Sequence, residues 1–188
     1  MKQATAALLP LLWLALPAQA EVQEQLQEQY YDLQVTSGES LNRALDQASP
    51  IRHNGQVFRA YTRWQVQWKF WWREQRDGRC SIDLTRTQLT ATITLPRLGG
   101  GDARQRQRFE QYLSALRKHE QGHYRIGQTA AAEIDAALRA TPQYPSCAEL
   151  QQQANQRANA ILQRHSEQER QYDRQTGYGR SQGAWLAE

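Results

Sequence analysis

The chain has 188 residues, with 23 Lys and Arg against 19 Asp and Glu, a formal net charge of +4 and 39% hydrophobic residues. That length suits one domain with a modest core and excludes a multidomain assembly. So small a charge selects no polyanionic partner, and the one basic cluster, Arg104, Arg106 and Arg108, reads as solvated surface rather than a nucleic-acid patch.

Residues 1–20 have the parts of a secretory signal peptide: Lys2 as the basic end, an apolar run over 7–16, and Ala18-Gln19-Ala20 as the cleavage site. The apolar run is short for a bilayer span, so no stable membrane insertion is expected after cleavage. The mature chain, residues 21–188, is then a single exported domain of the periplasm or the exterior. In that compartment Cys80 and Cys147, the only cysteines, are expected to form a disulfide.

A Gln/Glu-rich leader precedes a short strand predicted over 30–35, and a helix over 39–47 ends before Pro50. After a turn at Asn54-Gly55, Thr62, Trp64, Val66, Trp68, Phe70 and Trp72 alternate with polar residues, the period of a half-buried strand. Trp64, Trp68 and Trp72 are expected in the core. A return strand follows Asp77-Gly78. Its apolar residues sit at even positions, Ile82 and Leu84, and then at odd ones, Leu89 to Leu95, which predicts a bulge near 86–88. Pro96 and Gly99-Gly100-Gly101 are expected to end the sheet in a mobile loop.

Asp102 is a predicted N-cap for a long helix to about residue 140, on which Phe109, Tyr112, Leu113, Leu116, Ile126, Ala130, Ile134 and Leu138 recur at helical spacing. Thr141 to Pro145 breaks it, and a second, antiparallel helix starts near Cys147. A glycine-rich tail over 171–188 carries Trp185 as its expected anchor. The fold class is α+β: a small, mostly antiparallel sheet packed on the long helix and its antiparallel neighbour.

His119-Glu120-Gln121-Gly122-His123 is an HExxH sequence in the middle of the long helix. Residues four apart on a helix share a face, so both imidazoles reach one Zn²⁺ while Glu120 stands beside it as general base. Both histidines continue the apolar stripe of Leu116 and Ile126 and are expected to face inward. The chemistry that follows is peptide-bond hydrolysis by a zinc-activated water, with a peptide or protein as substrate.

A catalytic zinc site has a third protein ligand. If the two helices fold back about Gln143, residues 163–169 pass the histidine pair, which makes His165 one candidate and Glu169 a weaker one. Asp173, expected in a loop just past the second helix, is the other. His53, near a turn, receives no role.

Tyr30-Tyr31-Asp32, the Thr62/Trp64/Trp68 strand, Thr94-Leu95-Pro96-Arg97, the HExxH, Cys147, and Tyr172-Asp173 through Thr176 to Gln182-Gly183 together resemble a bacterial family of predicted secreted zinc-dependent proteases, domain of unknown function 922. The resemblance covers nearly the whole mature chain. It implies a zincin-like arrangement, in which an extended substrate pairs with an edge strand beside the active helix; the 89–95 strand is the candidate edge. Similar proteins have histidine where this chain has Tyr178. If that histidine is a ligand or a transition-state donor, Tyr178 replaces it, as weak anionic ligand or oxyanion donor, or His165 is borrowed. The competing readings are a zincin-like envelope binding protein without turnover, for which Tyr178 is the main support, and a hydrolase of cell-wall peptides or other amides using the same zinc chemistry.

Overall fold

The computed structural model describes residues 22–53 and 55–187. The expected signal peptide and Asn54 lie outside the described residues. In chain order the elements are β1 (Gln23–Val35), α1 (Leu41–Ala48), β2 (Ile51–His53), β3 (Gln56–Phe58), β4 (Tyr61–Glu74), β5 (Cys80–Gly100), α2 (Ala103–Arg139), α3 (Cys147–Thr176) and a 3₁₀ turn at Arg180–Gln182. The architecture is α+β: a three-stranded sheet in the order β1-β5-β4 with the long helices against one face, and β2-β3 as a separate hairpin.

The sheet is mixed. β4 and β5 form the predicted hairpin, but β1 runs parallel to β5 along its whole length, from Gln23 beside Gln88 to Val35 beside Gly100. The Gln/Glu-rich leader is therefore strand, with Glu24 accepting hydrogen bonds from Tyr124 and Gln128 of α2. Amphipathic patterning could not announce it, because on its inward face Leu26 alone is apolar between Glu24 and Glu28, which meet polar helix residues. β5 is the central strand, so the expectation that 89–95 offers a free edge is overturned; within this sheet the edge near the histidine pair is β4.

The predicted phase change in β5 is met differently. The register slips between Trp71 and Trp72, opposite Asp83, instead of near 86–88. Leu84 stays 52% exposed, while Thr85 and Thr87 turn inward and donate hydrogen bonds to the buried carboxylate of Asp135 on α2. Nor do the glycines after Pro96 form a loop. A Cβ on Gly100 would stand 2.5 Å from the Val35 carbonyl oxygen, at φ +75°, so only glycine lets the last parallel pair approach this closely.

Asp102 caps α2 as predicted, in a reciprocal capping box with Gln105. The core has two parts: Phe109, Tyr112, Leu113 and Leu116 pack with β1, α1 and Leu186, whereas Ala130, Ala131, Ile134 and Leu138 pack with Val66, Leu89 and Ala154, Ala158 and Ile161 of α3. His119 to His123 lies between these two regions. Leu186, 3% exposed, anchors the tail; Trp185 is 54% exposed under the Arg180 guanidinium. Trp64 and Trp68 are half-buried and donate their indole N–H to Glu169 and Asn155 of α3, while Trp72 is exposed rather than core.

Cys80 and Cys147 are joined in a disulfide, and Tyr144 bridges to Cys80. A strand advances about 3.3 Å per residue and a helix about 1.5 Å. From the common level of Thr85 and Asp135, β5 thus reaches Cys80 well beyond the point where α2 stops. Tied there, α3 starts past the end of α2, and later residues than 163–169 come level with the histidine pair. Among the described residues no helix is long and apolar enough to cross a membrane.

Candidate metal centre

His119 and His123 are buried on the inward face of α2 between the two core regions, and opposite them stands Asp173 of α3. The aspartate sits within the helix, which runs on to Thr176, and not in a loop beyond it. Its Oδ1 is 3.0 Å from His123 Nε2 and 3.3 Å from His119 Nε2. One ligand-type atom from each residue lies within 4.8 Å of the others, a grouping of two imidazoles and a carboxylate.

The outer ring nitrogens are held by other partners, and these fix the tautomers. His123 Nδ1 faces Glu169 Oε1 at 3.2 Å; a carboxylate only accepts, so Nδ1 carries the proton. The same oxygen accepts from Trp64 Nε1 at 2.5 Å. His119 Nδ1 faces Gln182 Oε1 at 3.0 Å, and the Gln182 amide donates to the Tyr172 hydroxyl, which in turn donates to the His119 carbonyl. This closed loop makes His119 Nδ1 a donor as well. Both Nε2 atoms are thereby aimed at one carboxylate oxygen, a grouping that needs a cation, either a proton or a metal, to be stable.

Electrostatics agree with the geometry. Burial opposes charging of His123, but hydrogen bonds to Asp173 and Glu169 push it up to about 10. Against the cost of burial, His119 and His123 hold Asp173 well below the usual carboxylate range. Burial pushes the Glu120 carboxyl up, against a 2.7 Å hydrogen bond from the Thr62 hydroxyl of β4.

Two glycines explain how the groups come so close. A Cβ on Gly122 would stand 2.0 Å from the Tyr172 hydroxyl, so the glycine inside the HExxH makes room for the phenol that stacks on His119. A Cβ on Gly179 would stand 3.0 Å from His119 Cγ, so the tail closes directly over that ring. Between Gly177 and Gly179, Tyr178 has φ 55°, the one non-glycine residue with positive φ among the described residues. Its amide donates to the Asp173 carbonyl at 2.8 Å, while its ring is 57% exposed and tilts against Phe58 at 6.1 Å.

A cavity of about 710 Å³ opens over the cluster, bordered by Glu120, His123, Glu169, Asp173 and Tyr178, by Tyr61 and Thr62 of β4, and by the β2-β3 hairpin. A smaller one of about 310 Å³ shares Ser166 and Glu169 with it and continues along β4 past Trp64 and Trp68. His53, given no role from sequence, is part of the larger wall.

The structure thus brings together His119, Glu120, His123 and Asp173, with Tyr178 on the same cavity. It does not bring His165 there: that ring is 1% exposed and meets Glu133 Oε2 at 2.9 Å, away from the pair, because the disulfide offsets α3. Glu169 approaches the pair from behind, on His123 Nδ1, as a partner of the ring and not of the Nε2 point. Sequence reasoning gave no role to Thr62, Gln182 or Gly122. Only Gly122 left a usable signal, a helix-weakening glycine at a buried position.

A family model described as bacterial protein of unknown function, domain of unknown function 922, matches residues 28–180. No curated protein and no solved structure matches the chain. The matched span holds every member of the cluster and all but Gln182 of the hydrogen-bonded groups behind it. The chain belongs to this bacterial family, domain of unknown function 922.

Proposed function

We propose that the chain is an exported zinc-dependent peptidase in which His119, His123 and Asp173 hold the metal and Glu120 is the general base. The observation that carries this reading is the convergence of two Nε2 atoms and Asp173 Oδ1 while both Nδ1 atoms are tied back to Gln182 and Glu169. Such outer partners fix the ring orientation and basicity that metal-ligating histidines need. A zinc ion held there supplies Lewis acidity, making water nucleophilic near neutral pH and polarising the amide carbonyl.

The chain's own residues do the rest. Glu120, buried and held by Thr62 at the edge of the cavity, takes a proton from the attacking water as its oxygen bonds to the carbonyl carbon. When the C–N bond breaks, Glu120 returns that proton to the leaving nitrogen, leaving one carboxylate and one amine product. A carboxyl pushed up by burial is suited to hold a proton between these steps. The Tyr178 hydroxyl, on the same cavity, donates to the carbonyl oxygen as negative charge develops there. Export is supported by the disulfide and by the signal-like N-terminus.

A binding protein without turnover is favoured by one observation, the exposure of Tyr178, where the family resemblance implies a histidine. One experiment separates the two. Mature protein and Glu120→Gln are compared for zinc content and for hydrolysis of a broad peptide library. The peptidase reading expects one zinc in both and a loss of about 10²–10⁴-fold in rate in the variant. Zinc in both and no cleavage by either would set the peptidase reading aside in favour of the binding protein or of a hydrolase of other amides, and no zinc in either would remove every zinc reading.

A further inference from the structure

The cavity over the cluster separates its charges by depth. Its carboxylates, Glu120, Glu169 and Asp173, are each engaged: Glu120 by Thr62, Glu169 by Trp64 and His123, Asp173 by both histidines. At its mouth, away from those carboxylates, stand arginines of the hairpin and of α3. Arg52 and His53 come exposed from the β2-β3 hairpin, and Arg170 comes exposed from α3. Arg170 spends Nε and Nη2 on Glu167, which leaves Nη1. Among the described residues, Arg52 has no carboxylate within ion-pair distance, unlike the neighbouring Arg59, which is paired with Asp46. An arginine fork without a partner on the wall of a cleft matches a carboxylate in shape and charge.

We propose that this cleft takes peptides carrying a free carboxylate beside the scissile amide, and that Arg52 selects it, with Arg170 and His53 adding donors. The proposal rests on the hydrolytic reading above for its amide and on the cavity wall for its carboxylate. An uncharged substrate would leave Arg52 with water alone, whereas a carboxylate replaces that water with a charge-assisted pair. The site is exposed, so the expected selectivity is about twofold to fivefold, carried by KM, and not the thousandfold of a buried pair.

The test uses matched peptides differing only as Glu against Gln at each position around the cleaved bond, all amidated at the C-terminus, with Gln peptides of free C-terminus as a second arm. Zinc-loaded mature protein should prefer the carboxylate peptides about twofold to fivefold in kcat/KM, and the two arms tell a side-chain carboxylate from a terminal one. Arg52→Gln should bring the ratio toward one, and Arg52→Glu should turn it below one, in favour of the Gln peptides, an inversion that a purely structural role would not produce. Equal cleavage of Glu and Gln peptides by the parent protein, or a preference that survives Arg52→Gln, overturns the proposal. If the parent cleaves nothing, the hydrolytic reading fails separately, and calorimetric binding of the same peptides decides this one. Arg52-dependent tighter binding of the carboxylate forms sustains it, and equal or absent binding ends it.

Discussion

At the scale of single residues, the site depends on groups that never touch the converging Nε2 point. Gly122 is the clearest: any Cβ there collides with the Tyr172 hydroxyl, which orders the Gln182 amide, which in turn orders His119. Gly122→Ala should therefore weaken zinc binding about 10–100-fold, as losses of such outer partners do, while helix content holds or rises because alanine favours the helix. Competition with a chelator together with circular dichroism checks both halves. Tyr178 offers a cleaner separation of roles. Tyr178→Phe keeps the ring against Phe58 and the left-handed backbone, so the unfolding midpoint should stay put while kcat falls by at least about tenfold if the hydroxyl donates to the oxyanion. Unchanged kcat would return Tyr178 to a packing role. Residues at this scale were legible where one type in one spacing carries the chemistry, as with His119, Glu120 and His123. The orienting roles were illegible: Glu169 drew notice only as a weaker ligand candidate and Thr62 and Gln182 only as parts of the resemblance, and only the fold shows which atoms they meet.

At the scale of elements, α3 decides the third member of the cluster through its placement. The disulfide and the Tyr144–Cys80 bridge fix its start beyond the end of α2, and this offset brings Asp173, not His165, to the histidine pair. Cys147→Ser should cost roughly 2–4 kcal/mol in denaturant titrations. It should also weaken zinc binding, since Asp173 rides on the freed helix; an unchanged zinc affinity would mean that the α2–α3 packing alone sets the register. The long helices were readable because capping residues and a 3.6-residue stripe are local properties, and the β4-β5 hairpin because its alternation is equally local. β1 was only partly readable. Its first half pairs in parallel with β5 across more than sixty positions of sequence, and its inward residues, Glu24 and Glu28, satisfy Tyr124 and Arg117 instead of an apolar core. The central place of β5 follows from that pairing, so the mistaken edge strand and the unread β1 are one error. The glycines after Pro96 misled for a related reason: a run that reads as a loop is what a close parallel pair requires at Gly100.

For the whole molecule, the sheet and two helices enclose two imidazoles and a carboxylate that a cation would hold together. In the metal-free protein that cation is a proton on His123. With its folded-state value raised to about 10 from 6.5, the group contributes stability that is fully present below about pH 6.5 and lost as pH rises through about 10. Asp173 runs the other way: its contribution is present above its ordinary value of 3.8 and lost as pH falls through its lowered folded-state value. Metal-free protein should therefore lose stability on the alkaline side, and zinc should remove that loss by taking the place of the proton. Zinc binding near pH 7 should release about one proton, readable by calorimetry in buffers of different ionisation enthalpy. At about a thousandfold excess over Kd, zinc should stabilise the fold by about 4 kcal/mol, and Asp173→Asn should diminish that gain where His165→Asn does not. The most direct measurement is a crystal structure of the zinc-loaded mature protein with anomalous data at the zinc edge. One peak is expected about 2.0–2.2 Å from His119 Nε2, His123 Nε2 and an Asp173 carboxylate oxygen, with Glu120 not bonded to the metal. A peak elsewhere, a site closed by a fourth protein ligand, or no peak at all would contradict that expectation.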